Sequence, residues 1–219
     1  MKLNKIEIVV YVIVILVIFS GAILSFTDKE YYENSFAVED GIIEYGTALM
    51  LFISAIIMAL RFFRIGGRQS FKWKMTVAVL AILFIFAAGE EISWGQRIFG
   101  IESSEFFKDN NAQQEMNLHN LVVGETKINK LIFSKLLTGV LVIYLVILPI
   151  LYLKLSWVKN LITNFGVPIV KYHHTIIFII MTVVVIVMPS SKRWEIYEFG
   201  FAMIFFLIFL FPLNKGSIQ

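Results

Sequence analysis

Seven carboxylates in three short stretches are the residues of this chain best placed to do chemistry: Glu39, Asp40 and Glu44; Glu90 and Glu91; Glu195 and Glu198. Each stretch lies at the edge of an apolar run, where an ionisable side chain costs roughly 3 kcal/mol on insertion scales and therefore tends to face protein or water. Asp40 and Glu44 are four residues apart and Glu195 and Glu198 three apart, so on helices each pair shares a face. Acids crowded in a low dielectric cannot all stay ionised. They hold protons, pair with cations or bind a metal ion.

The densest polar segment runs from Gly89 to Arg97 and resumes from Gln113 to Leu121. Ser103-Ser104-Glu105 reads as a helix start, and a helix through Phe106, Phe107, Met116, Leu118, Leu121 and Val122 would lie in the membrane interface. On it Glu115 and His119 share a face, so the carboxylate orients the imidazole or both bind one ion. Acid–base chemistry is therefore assigned to Glu90, Glu91, Glu115 and His119. A metal ion, if held, falls to Asp40, Glu44, Glu91, His119, Glu195 and Glu198. That excess of oxygen ligands favours Mg²⁺, Ca²⁺ or Mn²⁺ over zinc. Gln96, Arg97, Asn117, Asn120, Lys192 and Arg193 supply the hydrogen-bond donors and positive charge to grip a phosphate headgroup.

No established signature accompanies these residues. There is no H-E-x-x-H, Glu115 to His119 is one residue longer than the E-x-x-H of di-iron bundles, and no G-x-S-x-G surrounds Ser93. A short internal echo is present instead: Ile42 to Ala48 and Ile196 to Ala202 both read I-x-E-aromatic-G-x-A, which would set Glu44 and Glu198 at one depth on parallel helices. His173-His174 reads as interfacial, with a separate site at that end as the alternative.

The elements that must position these groups follow from composition. With 219 residues, 58% hydrophobic, 16% charged and a mean hydropathy of +0.81, the chain is too apolar for a water-soluble domain. Six apolar runs are expected to cross the bilayer: Ile6 to Phe26, Phe36 to Leu60, Met75 to Trp94, Leu131 to Leu153, Val167 to Met188 and Trp194 to Leu213. The first continues through Ile23, Leu24 and Phe26 past the small residues Ser20-Gly21-Ala22, which favours a span over a signal peptide. The fifth is interrupted by Lys171, His173 and His174, so it is tilted or preceded by a re-entrant piece near Pro168. Arg61, Arg64, Arg68, Lys72 and Lys74 assign the second loop to the cytoplasm, which places both termini inside and the acids outside.

The expectation is an all-α, multi-pass plasma-membrane protein forming one transmembrane domain over residues 1–219, with an interfacial helix or loop between the third and fourth spans. Zero cysteines exclude thiolate chemistry and Cys-ligated metals. A net charge of +3 gives no reason to invoke a nucleic acid. Membrane lipids are the expected partners, with a lipid-linked substrate, and an oligomer or protein partner is compatible with the sequence. Three functions fit: a hydrolase or transferase acting on such a substrate at the extracytoplasmic face, an ion- or proton-coupled transporter or channel component, and a non-catalytic sensor or subunit with a structural polar core.

Overall fold

Asn4 starts the first helix, α1 (Lys5–Thr27): its side chain accepts the Ile6 N–H, and Glu7 reaches back to accept the Asn4 N–H at 2.8 Å. This capping box satisfies two of the donors that a helix start leaves open. In the computed structural model, which describes residues 3–118, 120–123, 126–127 and 137–218, α2 (Ile42–Ile65) follows after short helical turns at Lys29–Phe36. A tight turn at Gly66–Arg68 leads to α3 (Phe71–Glu91), whose first turn is capped by Ser70 accepting the Trp73 N–H. Beyond it come α4 (Glu105–Asn110) and a two-residue antiparallel ladder, β1 (Val122–Val123) against β2 (Thr126–Lys127), with Val122 opposite Lys127. The helix α5 (137–154) contains a π turn at Ile143–Ile147. It bends by 119° into α6 (Ser156–Phe165), and α7 (Tyr172–Val187) and α8 (Arg193–Leu210) complete the bundle.

Among the described residues the regular structure is helical apart from that ladder. Among the same residues three helices are long and apolar enough to cross a membrane: Lys5–Thr27, Ile42–Arg68 and Phe71–Glu91; a fourth is added if the bent α5–α6 pair is one span. Two further expected spans fall short for different reasons. Sixteen residues give α7 a length of about 24 Å, against about 30 Å of hydrocarbon. α8 has the length, but Arg193, Glu195 and Glu198 charge its first six residues.

α8 is the hub of the bundle and packs against α1, α2 and α7. Ile196, Ile204, Leu207 and Ile208 are fully enclosed along it, which fits a helix that is apolar all round beyond Glu198. Around it, α1 and α3 turn Ile8, Leu16, Val79 and Ile82 outward, as lipid-facing helices do. α2 and α8 run parallel: Arg61, near the end of α2, donates to the Phe209 carbonyl near the end of α8, and at their starts Gly46 lies against Phe199. A Cβ at residue 46 would stand 2.8 Å from the Phe199 ring, so the glycine of the internal echo sets this close approach.

Before α7 the helical α6 ends at Phe165, and the bent α5–α6 pair has the geometry of a broken span or a re-entrant loop. Val167 to Lys171 is a non-helical strap, with Lys171 extended and Ile169 and Val170 fully buried. Its backbone is satisfied by the C-terminal segment: Leu213 N–H donates to the Ile169 carbonyl at 2.7 Å, the Asn214 side chain accepts the Ile169 N–H, and its amide donates to the Val167 carbonyl. Asn214 thus does for this strap what a neighbouring strand does in a sheet.

The bundle has two chemically different ends. One gathers the starts of α2 and α8 and the ends of α1, α3 and α7, and carries the acids. The other gathers the starts of α1, α3 and α7 and the ends of α2 and α8, and carries Arg61, Arg64, Arg68, Lys72 and Lys74.

Gly166 closes α6 in the left-handed region at φ 65°, and a Cβ there would lie 2.3 Å from the ring of Trp73, which is buried at the start of α3. Gly166→Ala is expected to destabilise the protein by about 2–4 kcal/mol, combining backbone strain with overpacking. Gly67→Ala, in open space, should be near neutral. Thermal denaturation of the two variants in one detergent checks the contrast.

Candidate functional site

α3 stops at Glu91 because the next residues leave helical space: Ser93, Trp94 and Gly95 have φ of 47°, 55° and 76°. Two consecutive non-glycine residues in the left-handed region cost about 1–2 kcal/mol each, so the surroundings must hold them. Trp94 Nε1–H donates to Glu90 at 2.8 Å, and the Ser93 hydroxyl donates to Glu115 while accepting from the Asn117 amide at 2.9 Å. The turn folds the chain back over the end of the bundle.

Glu115 is held in a knot of short-range polar contacts. Asn111 accepts the Gln113 and Glu115 N–H groups and donates to the Asn117 carbonyl and side chain, which winds residues 111–117 into turns, with Gln114 at φ 58°. These turns replace the expected helix: α4 ends at Asn110, and Glu115 itself lies outside any helix. The physical reason is local competition, since the Asn111 side chain offers the backbone a better partner than the next helical turn. His119 lies outside the described residues, so its expected pairing with Glu115 and its place among metal ligands are not part of this geometry.

Most of the residues assigned to substrate binding are employed inside the knot. Gln96 is buried, donating to Ser103 at 2.6 Å and accepting the Met116 N–H at 2.7 Å. Buried Asn117 accepts the Asn120 N–H, and the Asn120 amide donates to Gln113. Glu90 accepts from Trp94 and from the Leu118 N–H at 2.6 Å. Arg97 bridges Glu115 and Asp40 and so ties the knot to the start of α2. Arg193 donates to the Ile186 and Met188 carbonyls at the end of α7 and stacks over Trp194 at 5.2 Å.

Beneath the knot four acids act on one another. Glu198 interacts electrostatically with Glu91, Glu195 and Glu44; Glu91 with Glu195 and Glu44; and Lys192 is the cation acting on Glu44 and Glu195. Three helices supply them: Glu44 from α2, Glu91 from α3, Glu195 and Glu198 from α8. Glu198 is exposed near the start of α8, and the place where the four acids meet is termed the acidic recess. Tyr32 closes one side; its buried hydroxyl donates to the Lys192 carbonyl at 3.2 Å. Burial first, then Glu195 and Glu33, hold that phenol well above its usual range. Asp40 does not join the set or stack on Glu44 as a helical neighbour: it lies before α2 at φ 57°, gives its N–H to Glu44 at 2.6 Å, and turns its carboxylate to Arg97.

The recess acids are not gathered as a preformed ion site. Among the described residues, the group of three acidic or histidine side chains whose ligand atoms lie within 4.8 Å of one another is Glu7, His173 and His174, at the opposite end. Sequence reasoning passed over Glu7 although it is the single charge within the first apolar run. Comparison with protein-family models, with curated proteins and with solved structures returns no match.

Arg97→Met is expected to leave the buried Glu115 carboxylate short of a charged donor and to destabilise the 93–117 knot by about 1–3 kcal/mol. Backbone amide exchange in residues 113–117 should then speed up by at least about fivefold, with α2 and α8 unchanged. Uniform exchange across the chain would show the bridge to be energetically idle.

Proposed function

We propose that this is a six-crossing plasma-membrane protein with both termini in the cytoplasm, and that the acidic recess is the working site of an enzyme cleaving or transferring a group on a lipid or lipid-linked substrate. The observation that carries the reading is the mutual confrontation of Glu44, Glu91, Glu195 and Glu198, drawn from three helices, with Lys192 beside them. Carboxylates forced together divide their protons unequally, so one member serves as general acid while another serves as base. Lys192 is the natural anchor for an anionic headgroup. Because the acids do not converge to ligand distances, proton sharing is the favoured chemistry; a divalent ion recruited with substrate would be of the oxygen-loving class.

The crossing number rests on two elements. The Val167–Lys171 strap adds length to the short α7, and the charges of α8 sit only in its first turns, at headgroup level. The basic cluster at the opposite end orients the whole by the positive-inside rule. A transport function is less favoured because α1, α7 and α8 pack Val14, Ile18, Met181, Val185, Ile204 and Leu207 between the two polar ends.

Two measurements test the reading. The sequence has no cysteine, so single cysteines introduced at exposed Glu102 and at Gly67 report topology directly. An impermeant maleimide should label Glu102→Cys in intact cells and Gly67→Cys only after permeabilisation; the reverse pattern overturns the orientation. For activity, lipid mass spectrometry of cells overproducing the wild type should show a changed lipid or lipid-linked species. Glu91→Gln and Glu198→Gln, at equal abundance, should abolish that change. Identical lipid profiles for all three overturn the enzyme reading.

A further inference from the structure

At the basic end, a second polar cluster lies in the seam between α1 and α7, remote from the acidic recess. Glu7 is 1% exposed and His174 fully buried, and Lys171 and His173 are nearly so. Glu7 Oε2 is occupied by the Asn4 N–H of the capping box. Its other oxygen, Oε1, faces three nitrogens: Lys171 Nζ at 2.7 Å, His174 Nε2 at 3.5 Å and His173 Nε2 at 3.8 Å. Tyr11 engages His173 Nδ1 at 2.5 Å and so fixes which ring nitrogen turns toward Glu7. Among the described residues, His173 Nε2 and both nitrogens of His174 are buried without a hydrogen-bond partner.

Orphaned imidazole nitrogens beside a carboxylate are costly to bury, and the separations explain what they fit. The imidazole–carboxylate spacings of 3.5 and 3.8 Å are long for hydrogen bonds. Two ligands about 2.1 Å from a zinc-sized ion, at the tetrahedral angle, stand about 3.4 Å apart. Two imidazoles and one carboxylate oxygen select zinc-class transition ions over Mg²⁺ or Ca²⁺. Lys171 places an ammonium against the same oxygen and lies 5.5 Å over the Phe211 ring, so an entering ion must displace a resident cation.

We propose that Glu7, His173 and His174 form a binding site for a zinc-class divalent ion that clamps α1 to α7, with Lys171 as its built-in competitor and Tyr11 orienting His173. The fourth position of the ion faces no protein ligand in this set, which leaves it to water or a small anion.

The test uses the full-length, untagged chain in detergent micelles, stripped with chelator and titrated with Co²⁺ alone. One equivalent should bind with a visible absorption band, and Zn²⁺ should displace it. Glu7→Gln and His174→Ala should weaken binding at least tenfold, and Tyr11→Phe about tenfold, as expected of an orienting partner. Lys171→Met should tighten binding several-fold, an outcome that impaired folding cannot imitate. Absence of binding in both wild type and Lys171→Met overturns the site. So does binding that survives Glu7→Gln and His174→Ala unchanged, or that Lys171→Met weakens.

Discussion

The cost of placing ionisable groups within a hydrocarbon-embedded bundle governs this structure more than any other interaction. A buried charge without a partner is worth several kcal/mol against the fold, so each one must be paired, hydrogen-bonded or brought to a wetted surface. The chain meets this demand locally and differently at its two ends. Glu7 is bound by its own capping box and by Lys171. Arg61 is taken up by the Phe209 carbonyl and packs on Met58. Glu115 receives Arg97, Ser93 and Asn117 together. Measured by that economy, the recess formed by Glu44, Glu91, Glu195 and Glu198 stands apart, because Lys192 is the cation set against several acids. That imbalance is the observation on which the proposed function rests.

The polar knot above the recess shows how backbone strain and side-chain bonding are exchanged. Left-handed Ser93 and Trp94 reverse the chain at the end of α3, and this reversal delivers Glu115 to a position 22 residues away in sequence but within hydrogen-bond reach of Ser93. Strained backbone at such a place is affordable only where neighbours over-determine it, and here Glu90, Asn117 and Glu115 do so. The knot's side-chain amides are spent on one another and on its own backbone.

Much of the fold was legible in the sequence because hydropathy measures what the bilayer selects. The first span was expected at Ile6 to Phe26 and is found at Lys5–Thr27. Boundaries slipped where a cap or turn intervenes. The second was expected from Phe36 but starts at Ile42, since Tyr32–Phe36 forms a π turn and Asp40 is left-handed. The third was expected from Met75 but starts at Phe71 under the Ser70 cap. The acids' common end could be read from their depth, yet depth says nothing about direction around a helix. Glu90 and Glu91 are sequence neighbours roughly 100° apart on α3; Glu90 turns to the knot and Glu91 to the recess. Still less legible was the meeting of Glu7 with Lys171 and His174, which depends on how α1 and α7 pack and on no local pattern.

The two polar ends share one rigid part. α8 carries Glu195 and Glu198 at its start, and its far end at Phe209 accepts Arg61 beside the segment through which Asn214 secures the strap leading to Lys171 and His174. Between them the interior is close-packed hydrocarbon, which transmits displacement far better than it transmits charge. Any communication between an ion at Glu7 and protons in the recess must therefore be mechanical, by a shift of α8 or α7 as a body. The same apolar middle separates the polar groups at the two ends, and this separation is why the proposed reading favours chemistry at one end over conduction between them.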